Sequence, residues 1–259
     1  MFFDSHAHYD DNRFNEDRDE LLSSMKKNKV DYIVNAAADI VSSNEGIQLA
    51  EQYSFIYAGV GVHPHSVAEL DETDQGKTTL ELLEQLTKHP KVVAIGEIGL
   101  DYYYEHSPKE VQRIWFRRQM ELAKKVDLPI IVHSREASQE TFDMIRESGM
   151  SKGVIHCFSG SAQMAQEYIQ LGFYIGVGGT ITFNNARKSV EVVEQIPLES
   201  IVIETDCPYL TPMPYRGKRN DSTYLAHIAQ KIADIKNVSI EEVARMTSKN
   251  AKELFAIKR

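Results

Sequence analysis

The sequence predicts an α/β fold, a single (β/α)8 TIM barrel, and three observations support it. Short apolar runs alternate with amphipathic segments, eight such units fit in 259 residues, and ligand-type residues end strands from the first to the last. A barrel of this kind typically takes about 250 residues. A doubly wound open sheet uses the same alternation. It would separate its first and last strands unless they were neighbours, so one site could not readily recruit both.

The predicted strands are rich in Val, Ile, Phe, Tyr and Ala, and most are continuously apolar, as expected for strands buried on both faces. They cover residues 2–8, 30–38, 55–62, 92–98, 129–133, 153–158, 173–177 and 201–205. Helical spacing of apolar residues predicts helices over 17–28, 43–53, 77–89, 109–126, 135–148, 161–172, 186–196, 222–235 and 239–256. Ser239 and Glu242 are spaced as a capping box. Without a linker or repeat, residues 1–259 are predicted to form one domain.

Composition limits the class of protein. The net charge of -9 argues against a broad basic surface for long nucleic acid, although it permits a local basic pocket. Two cysteines, Cys157 and Cys207, suggest no disulfide framework. The start has no signal-peptide pattern, and no apolar run approaches the roughly 20 residues that cross a bilayer. We therefore expect a cytoplasmic protein without a membrane partner, and the sequence indicates no oligomeric state.

Six imidazole or carboxylate residues lie at or near the carboxyl ends of apolar runs, where a barrel builds its active site. They are His6, His8, Glu97, His133, His156 and Asp206. His6 and His8 flank Ala7, so period two places both on one face of a strand. Two surface histidines would show the same short pattern. The four further candidates favour a site for divalent metal at the carboxyl ends of the strands.

Glu97 lies inside an apolar strand between Gly96 and Gly99, where a carboxylate is costly to bury unless it is paired or binds metal. A structural ion pair with an arginine is the alternative. Its two oxygens could bridge two cations. His133 and His156 each end an apolar run, and two such histidines on successive strands favour ligation over satisfied core histidines.

Asp206 closes the eighth strand, and Glu204 points the same way on a regular strand. One of the pair would be a ligand or base, and the other would orient a histidine. The set suffices for two divalent ions that share Glu97 and a bridging water, with Asp206 taking the proton of the attacking water. Cys157 and Cys207 are interpreted as small core residues, with thiolate ligation as a lesser alternative.

Other segments are candidate substrate contacts. The glycine-rich residues 176–180 and the basic loop 215–220, with Arg216, Lys218 and Arg219, would suit phosphate after strands seven and eight. A solvated turn and loop would read the same way. Residues 102–104 are tyrosines that could stack on a base or cover the rim of the barrel. His63 and His65 are predicted to contact substrate rather than metal, and Arg135 is a candidate phosphate contact.

These motifs, taken together, resemble the TatD family of metal-dependent hydrolases, within the amidohydrolase-like superfamily. The resemblance runs from the first strand through the final helices and rests on DSHAHYD (4–10), GVHPH (61–65), GEIGLDYY (96–103), PIIVHSREA (129–137), HCFSG (156–160), ETDCPYL (204–210) and RGKRN (216–220). It implies a (β/α)8 fold and a metal site of the six residues above. It also implies deoxyribonuclease activity on phosphodiester bonds, typically from a 3′ end, so DNA 3′ ends or short oligonucleotides are the expected partners.

One departure concerns the loop after strand eight. Asp221 and Ser222 follow Asn220 where the family commonly has Glu-Pro, which puts substrate detail in doubt. A hydrolase of small molecules acting on C–N, ester or phosphoester bonds with the same metals is the main alternative, and a non-catalytic binding barrel is a third. Mixed nitrogen and oxygen ligands accept Zn, Mn, Co, Ni or Fe, with Mg favouring oxygen.

Overall fold

The computed structural model describes residues 1–70 and 74–258, and within them eight parallel β-strands alternate with α-helices. The strands are β1 (Phe2–Ala7), β2 (Val30–Asn35), β3 (Ile56–Val60), β4 (Val92–Asp101), β5 (Ile130–Arg135), β6 (Gly153–Ile155), β7 (Phe173–Val177) and β8 (Ile201–Ile203). They form one sheet in the sequential order β1 to β8. Sequential order rules out the doubly wound alternative, whose strand order reverses, and confirms the (β/α)8 prediction.

The helices follow their strands as the amphipathic pattern predicts. They are α1 (Arg18–Ser24), α2 (Ile40–Gln52), α3 (Asp74–Leu86), α4 (Lys109–Val126), α5 (Ser138–Ser148), α6 (Ala162–Gln170), α7 (Arg187–Gln195), α8 (Leu225–Lys236) and α9 (Ile240–Leu254). Ser239 caps α9, since its hydroxyl oxygen accepts the Glu242 N–H at 3.1 Å. None of the described helices is long and apolar enough to cross a membrane.

The residues pack into two compact units, and the prediction of one domain stays a prediction. The first unit comprises Met1–Asn35, Cys157–Gln170 and Tyr174–Arg259. In it the first strand adjoins the last: Ala7 forms a parallel bridge with Cys207, and the Asp206 N–H donates to the His6 carbonyl at 3.0 Å. The end of β1 and the segment after β8 are thereby held side by side.

The second unit comprises Ala36–His156 and Leu171–Phe173, and β4 is its central strand. All ten residues of β4 are buried, and the strand pairs in parallel with β5, where Gly99 lies opposite His133 and Asp101 opposite Arg135. A side chain on Gly99 would collide with the His133 carbonyl. This confirms the expectation that glycine here permits close backbone approach.

Candidate metal centre

The first unit brings three predicted ligands together, and we call them the His6 cluster: His6, His8 and Asp206. The Nε2 atoms of His6 and His8 lie 3.0 Å apart, which confirms that the two imidazoles share a face. Asp206 Oδ1 lies 3.4 Å from His8 Nε2 and 3.7 Å from His6 Nε2. His6 is fully buried at the end of β1, so its ring is fixed by packing.

Asp206 reaches this position through an irregular turn. Strand β8 ends at Ile203, and Asp206 has a φ of 55°, in the left-handed region. The premise that Glu204 and Asp206 share a face of a regular strand is therefore wrong. Glu204 Oε1 accepts the Cys157 backbone N–H at 2.5 Å. Its predicted role in orienting a histidine stays a prediction.

The cysteines differ from each other. Cys207 is buried, as predicted for a core residue, but Cys157 is only partly buried. The prediction for Cys157 assumed that β6 continues through it, whereas β6 ends at Ile155. Alternation along a strand therefore does not turn its side chain away from the ligand residues.

The second unit holds the Glu97 cluster: Glu97, His63, His133 and His156. Glu97 Oε1 lies 2.8 Å from His133 Nδ1, 3.6 Å from His63 Nε2 and 3.9 Å from His156 Nε2. Ligand atoms of His63, Glu97 and His133 all lie within 4.8 Å of one another. The partners of Glu97 here are imidazoles, which favours the metal interpretation over a structural arginine pair. His63 is buried among them, and its predicted contact with substrate is untested.

Asp101 is the residue that sequence reasoning missed. Its buried Oδ2 lies 3.0 Å from His133 Nε2 and 2.8 Å from His65 Nε2. Its Oδ1 accepts the backbone N–H groups of Tyr103 and Tyr104 at 3.0 and 2.9 Å. From α4, Gln112 bonds the Asp101 backbone, accepting its N–H at 2.8 Å. A carboxylate that ends an apolar run was the available signal, the same one that identified Asp206.

These contacts set the protonation of the histidines. Burial lowers the pKa of His63 to about 4, so His63 is a neutral imidazole at pH 7. Burial also lowers the pKa of His65. For His133, burial alone would lower the pKa, but the hydrogen bonds to Asp101 and Glu97 outweigh it and raise that pKa. Neutral imidazoles are the form that binds metal, whereas His133 must first give up its proton at Nδ1.

A second polar network supports the His6 cluster from below. Asp4 is fully buried, and its carboxylate accepts the Thr205 N–H at 2.9 Å, the Thr205 hydroxyl at 2.6 Å and the Ser222 hydroxyl at 2.6 Å. The Ser222 N–H donates to the Tyr9 hydroxyl at 2.9 Å. Ser222, part of the departure from the family pattern, is thus an internal anchor of the turn before Asp206. Asp221 caps the next turn by accepting the Thr223 N–H.

The basic loop divides into engaged and available cations. Arg219 forms a bidentate pair with Asp17, with its Nη1 2.7 Å from Oδ1, so it is structural. Arg216 lies over the Phe183 ring at 4.2 Å, and Lys218 lies 5.4 Å from the Tyr215 ring. No carboxylate among the described residues pairs with Arg216 or Lys218, which leaves both for the predicted phosphate contacts.

The donor sets fit a divalent cation. Ligand atoms held at ~2.1 Å from one ion, at tetrahedral to octahedral angles, stand about 3.0–3.4 Å apart. The separations of 3.0 and 3.4 Å in the His6 cluster and 2.8 Å between Glu97 and His133 are close to this range. Mixed imidazole and carboxylate donors suit Zn, Mn, Co and Ni, and the carboxylates suit Mg.

Comparison with known proteins gives one family. Residues 3–256 match the family model described as TatD related DNase. The uncharacterized metal-dependent hydrolase YabD of Bacillus subtilis (strain 168) is 43% identical over 259 residues, covering 99% of this chain and 100% of YabD. The crystal structure of YjjV, a TatD homolog from Escherichia coli K12, superposes with a TM-score of 0.91 at 33% identity and covers 99% of this chain and 98% of YjjV. An uncharacterized amidohydrolase from Saccharomyces cerevisiae shares the fold, with a TM-score of 0.87 at 20% identity over 98% of this chain and 99% of its own.

Proposed function

Because this chain belongs to the TatD family of metal-dependent hydrolases, we propose that it is a deoxyribonuclease that removes nucleotides from the 3′ end of DNA. The observation that carries the proposal is the pair of imidazole–carboxylate clusters at the carboxyl ends of strands in one parallel sheet. Arg216 and Lys218, which are free of carboxylates, supply positive charge for a phosphate in a chain whose net charge is -9.

We assign two divalent ions per chain to these clusters. His6, His8 and Asp206 would hold one, His133 and His156 would hold the other, and Glu97 would offer one oxygen to each. Bound ions lower the pKa of water and stabilise charge on a phosphoryl oxygen. His133 would use Nδ1, the nitrogen that faces Glu97, and keep its Nε2 proton on Asp101. A histidine held by a carboxylate in this way keeps its tautomer and ring orientation.

The chain's own groups then carry out the proton transfer. Asp206 is partly exposed at 16% of its side chain, so a carboxylate oxygen can reach a water molecule. It would accept the proton as the water attacks phosphorus, and the 3′ ester oxygen leaves. The neutral His63 beside Glu97 and the partly exposed His65 would contact the phosphate, with Arg216 and Lys218 along the strand. Arg135 is assigned a separate contact below.

The test uses single-stranded oligonucleotides labelled at the 5′ end, incubated with the protein and Mg, Mn or Co. We expect a ladder that shortens from the 3′ end. Asp206→Asn, purified identically, controls for contaminating nuclease, and Asp234→Asn on the outer face of α8 controls for charge alone. The small-molecule alternative is tested in parallel with bis(p-nitrophenyl) phosphate and esters. Hydrolysis of these without release of nucleotides from DNA would replace the proposal by that alternative.

A further inference from the structure

Two exposed tyrosines follow β4 and form, with two neighbours, what we call the tyrosine platform: Tyr103, Tyr104, His106 and Arg135. Tyr103 and Tyr104 are 58% and 50% exposed, and their rings meet edge to face at 4.9 Å. The Arg135 guanidinium lies 4.2 Å from the Tyr103 ring centroid and 4.6 Å from that of Tyr104. His106 stacks on Tyr104 at 5.6 Å.

Folding does not account for these exposed rings. Their neighbour Tyr102 shows what a structural tyrosine looks like here: its hydroxyl donates to Glu140 at 2.8 Å, and the Lys109 ammonium lies 4.8 Å from its ring centroid. Tyr103 and Tyr104 instead present large aromatic surface to solvent. Contiguous exposed apolar surface of this kind marks a binding site more often than a stabilising feature.

Arg135 is equally unusual among the arginines. Arg13, Arg113 and Arg219 each pair with a carboxylate. In the part of the chain that the structure describes, no carboxylate pairs with Arg135, whose contacts are the two tyrosine rings. A guanidinium held flat against aromatic faces keeps its N–H groups for an anion, and the planar fork matches phosphate.

The platform is fixed to the catalytic side chains through Asp101. One oxygen of Asp101 holds the backbone of Tyr103 and Tyr104, and the other holds His133. Arg135 lies two residues beyond His133 on β5, so the two side chains leave the same face of the strand. Two residues along a strand span roughly 6.6 Å, about one nucleotide step from a phosphate at His133.

We propose that the tyrosine platform binds an unpaired nucleobase next to the cleaved phosphate, with Tyr103 stacking on the base and Arg135 pairing with the adjoining phosphate. The proposal rests on the function proposed above and adds a base-binding subsite to it. Stacking on an aromatic ring is tolerant of base identity but requires the base to be unpaired. The subsite therefore selects for frayed or single-stranded ends and not for sequence.

The test compares a thymidine oligonucleotide with one carrying abasic residues at its last three 3′ positions, on the full chain and its variants Tyr103→Ala, Tyr103→Phe and Arg135→Ala. Tyr103→Ala should raise KM on the base-bearing strand about tenfold or more with little change on the abasic strand. Tyr103→Phe, which keeps the ring, should behave as the parent. Arg135→Ala should raise KM on both strands. Circular dichroism checks that the variants fold.

The outcomes separate the platform from the nuclease activity. Fluorescence anisotropy in EDTA measures the affinity of each strand without turnover, and the parent should bind the base-bearing strand about tenfold or more tightly. Equal affinity of the parent for both strands, or an equal loss on both strands in Tyr103→Ala, overturns the platform. A parent that binds with the expected preference but releases no nucleotide under any metal supports the platform and overturns the proposed exonuclease.

Discussion

Asp101 and His133 are joined by a contact of 3.0 Å between Oδ2 and Nε2, across the neighbouring strands β4 and β5. The same contact lies next to the one between His133 Nδ1 and Glu97, so each nitrogen of the ring faces a different carboxylate. A ring held at both nitrogens cannot rotate. Asp101 is therefore a positioning residue for a predicted metal ligand, and it also lies 2.8 Å from His65.

Replacement of Asp101 by Asn should weaken metal binding by about 10- to 100-fold, because the amide cannot hold the His133 proton as a carboxylate does. Competition with a chromogenic chelator measures the change. Asp127→Asn serves as the matched control, since Asp127 is 85% exposed and pairs only on the surface with Lys152. Unchanged metal affinity in Asp101→Asn would show that the orientation of His133 does not depend on Asp101.

Replacement of Asp206 by Asn should lower turnover by about 10²- to 10⁴-fold if Asp206 accepts the proton of the water. The amide is nearly isosteric, so the free energy of unfolding should change far less than the activation barrier. Turnover is measured at saturating DNA, and unfolding is measured with urea. A variant with near-normal turnover would exclude Asp206 as the base.

Removal of divalent metal should destabilise the chain as well as inactivate it, because the clustered donors bind ions only when folded. At a free ion concentration 100 times Kd the ion contributes about 2.7 kcal/mol to the free energy of unfolding. Thermal unfolding with and without EDTA measures this contribution. His6→Ala and His8→Ala should each shrink the difference and lower the metal content. Unchanged stoichiometry would remove that histidine from the ligand set.

Stability without metal should fall as pH rises from about 4 to 7. Burial raises the pKa of Asp4 from 3.8 to about 7, although hydrogen bonds from Ser222 and Thr205 oppose the rise. Between these values the folded chain keeps a proton that the unfolded chain has released. The contribution is therefore complete below pH 3.8 and is lost through pH 7, up to about 4 kcal/mol. Urea unfolding in EDTA across this range should show a flatter slope for Asp4→Asn, and parallel slopes would contradict the assignment.

Replacement of Arg216 by Ala should weaken DNA binding and reduce the slope of log affinity against log salt by about one, because one phosphate contact is lost. Arg245→Ala on α9 is the matched control, since Arg245 is tied to Glu242 at 2.7 Å. Anisotropy titrations at several salt concentrations give both slopes. Equal slopes for the two variants would place Arg216 outside the DNA path.

Sequence patterns located the strands well because buried parallel strands are continuously apolar, and seven of the eight observed strands lie within two residues of the predicted spans. The exception is β4, which continues three residues further to Asp101. The paired histidines His6 and His8 were readable from local spacing alone. The role of Asp101 was not, because its partners lie 32 and 36 positions away along the chain. The left-handed turn at Asp206 was also hidden, since tertiary contacts with β1 impose it.

The dipeptide Asp221–Ser222 has a consequence for how residues can be exchanged between relatives. Ser222 donates through its hydroxyl to Asp4 and through its N–H to Tyr9, and a proline at this position can do neither. Importing the Glu-Pro common in the family would leave two buried partners on β1 and the loop after it without these donors, at about 1 kcal/mol or more each. The loop and the first strand therefore form one unit of inheritance: a change at position 222 is tolerated only with a compensating change at position 4 or 9.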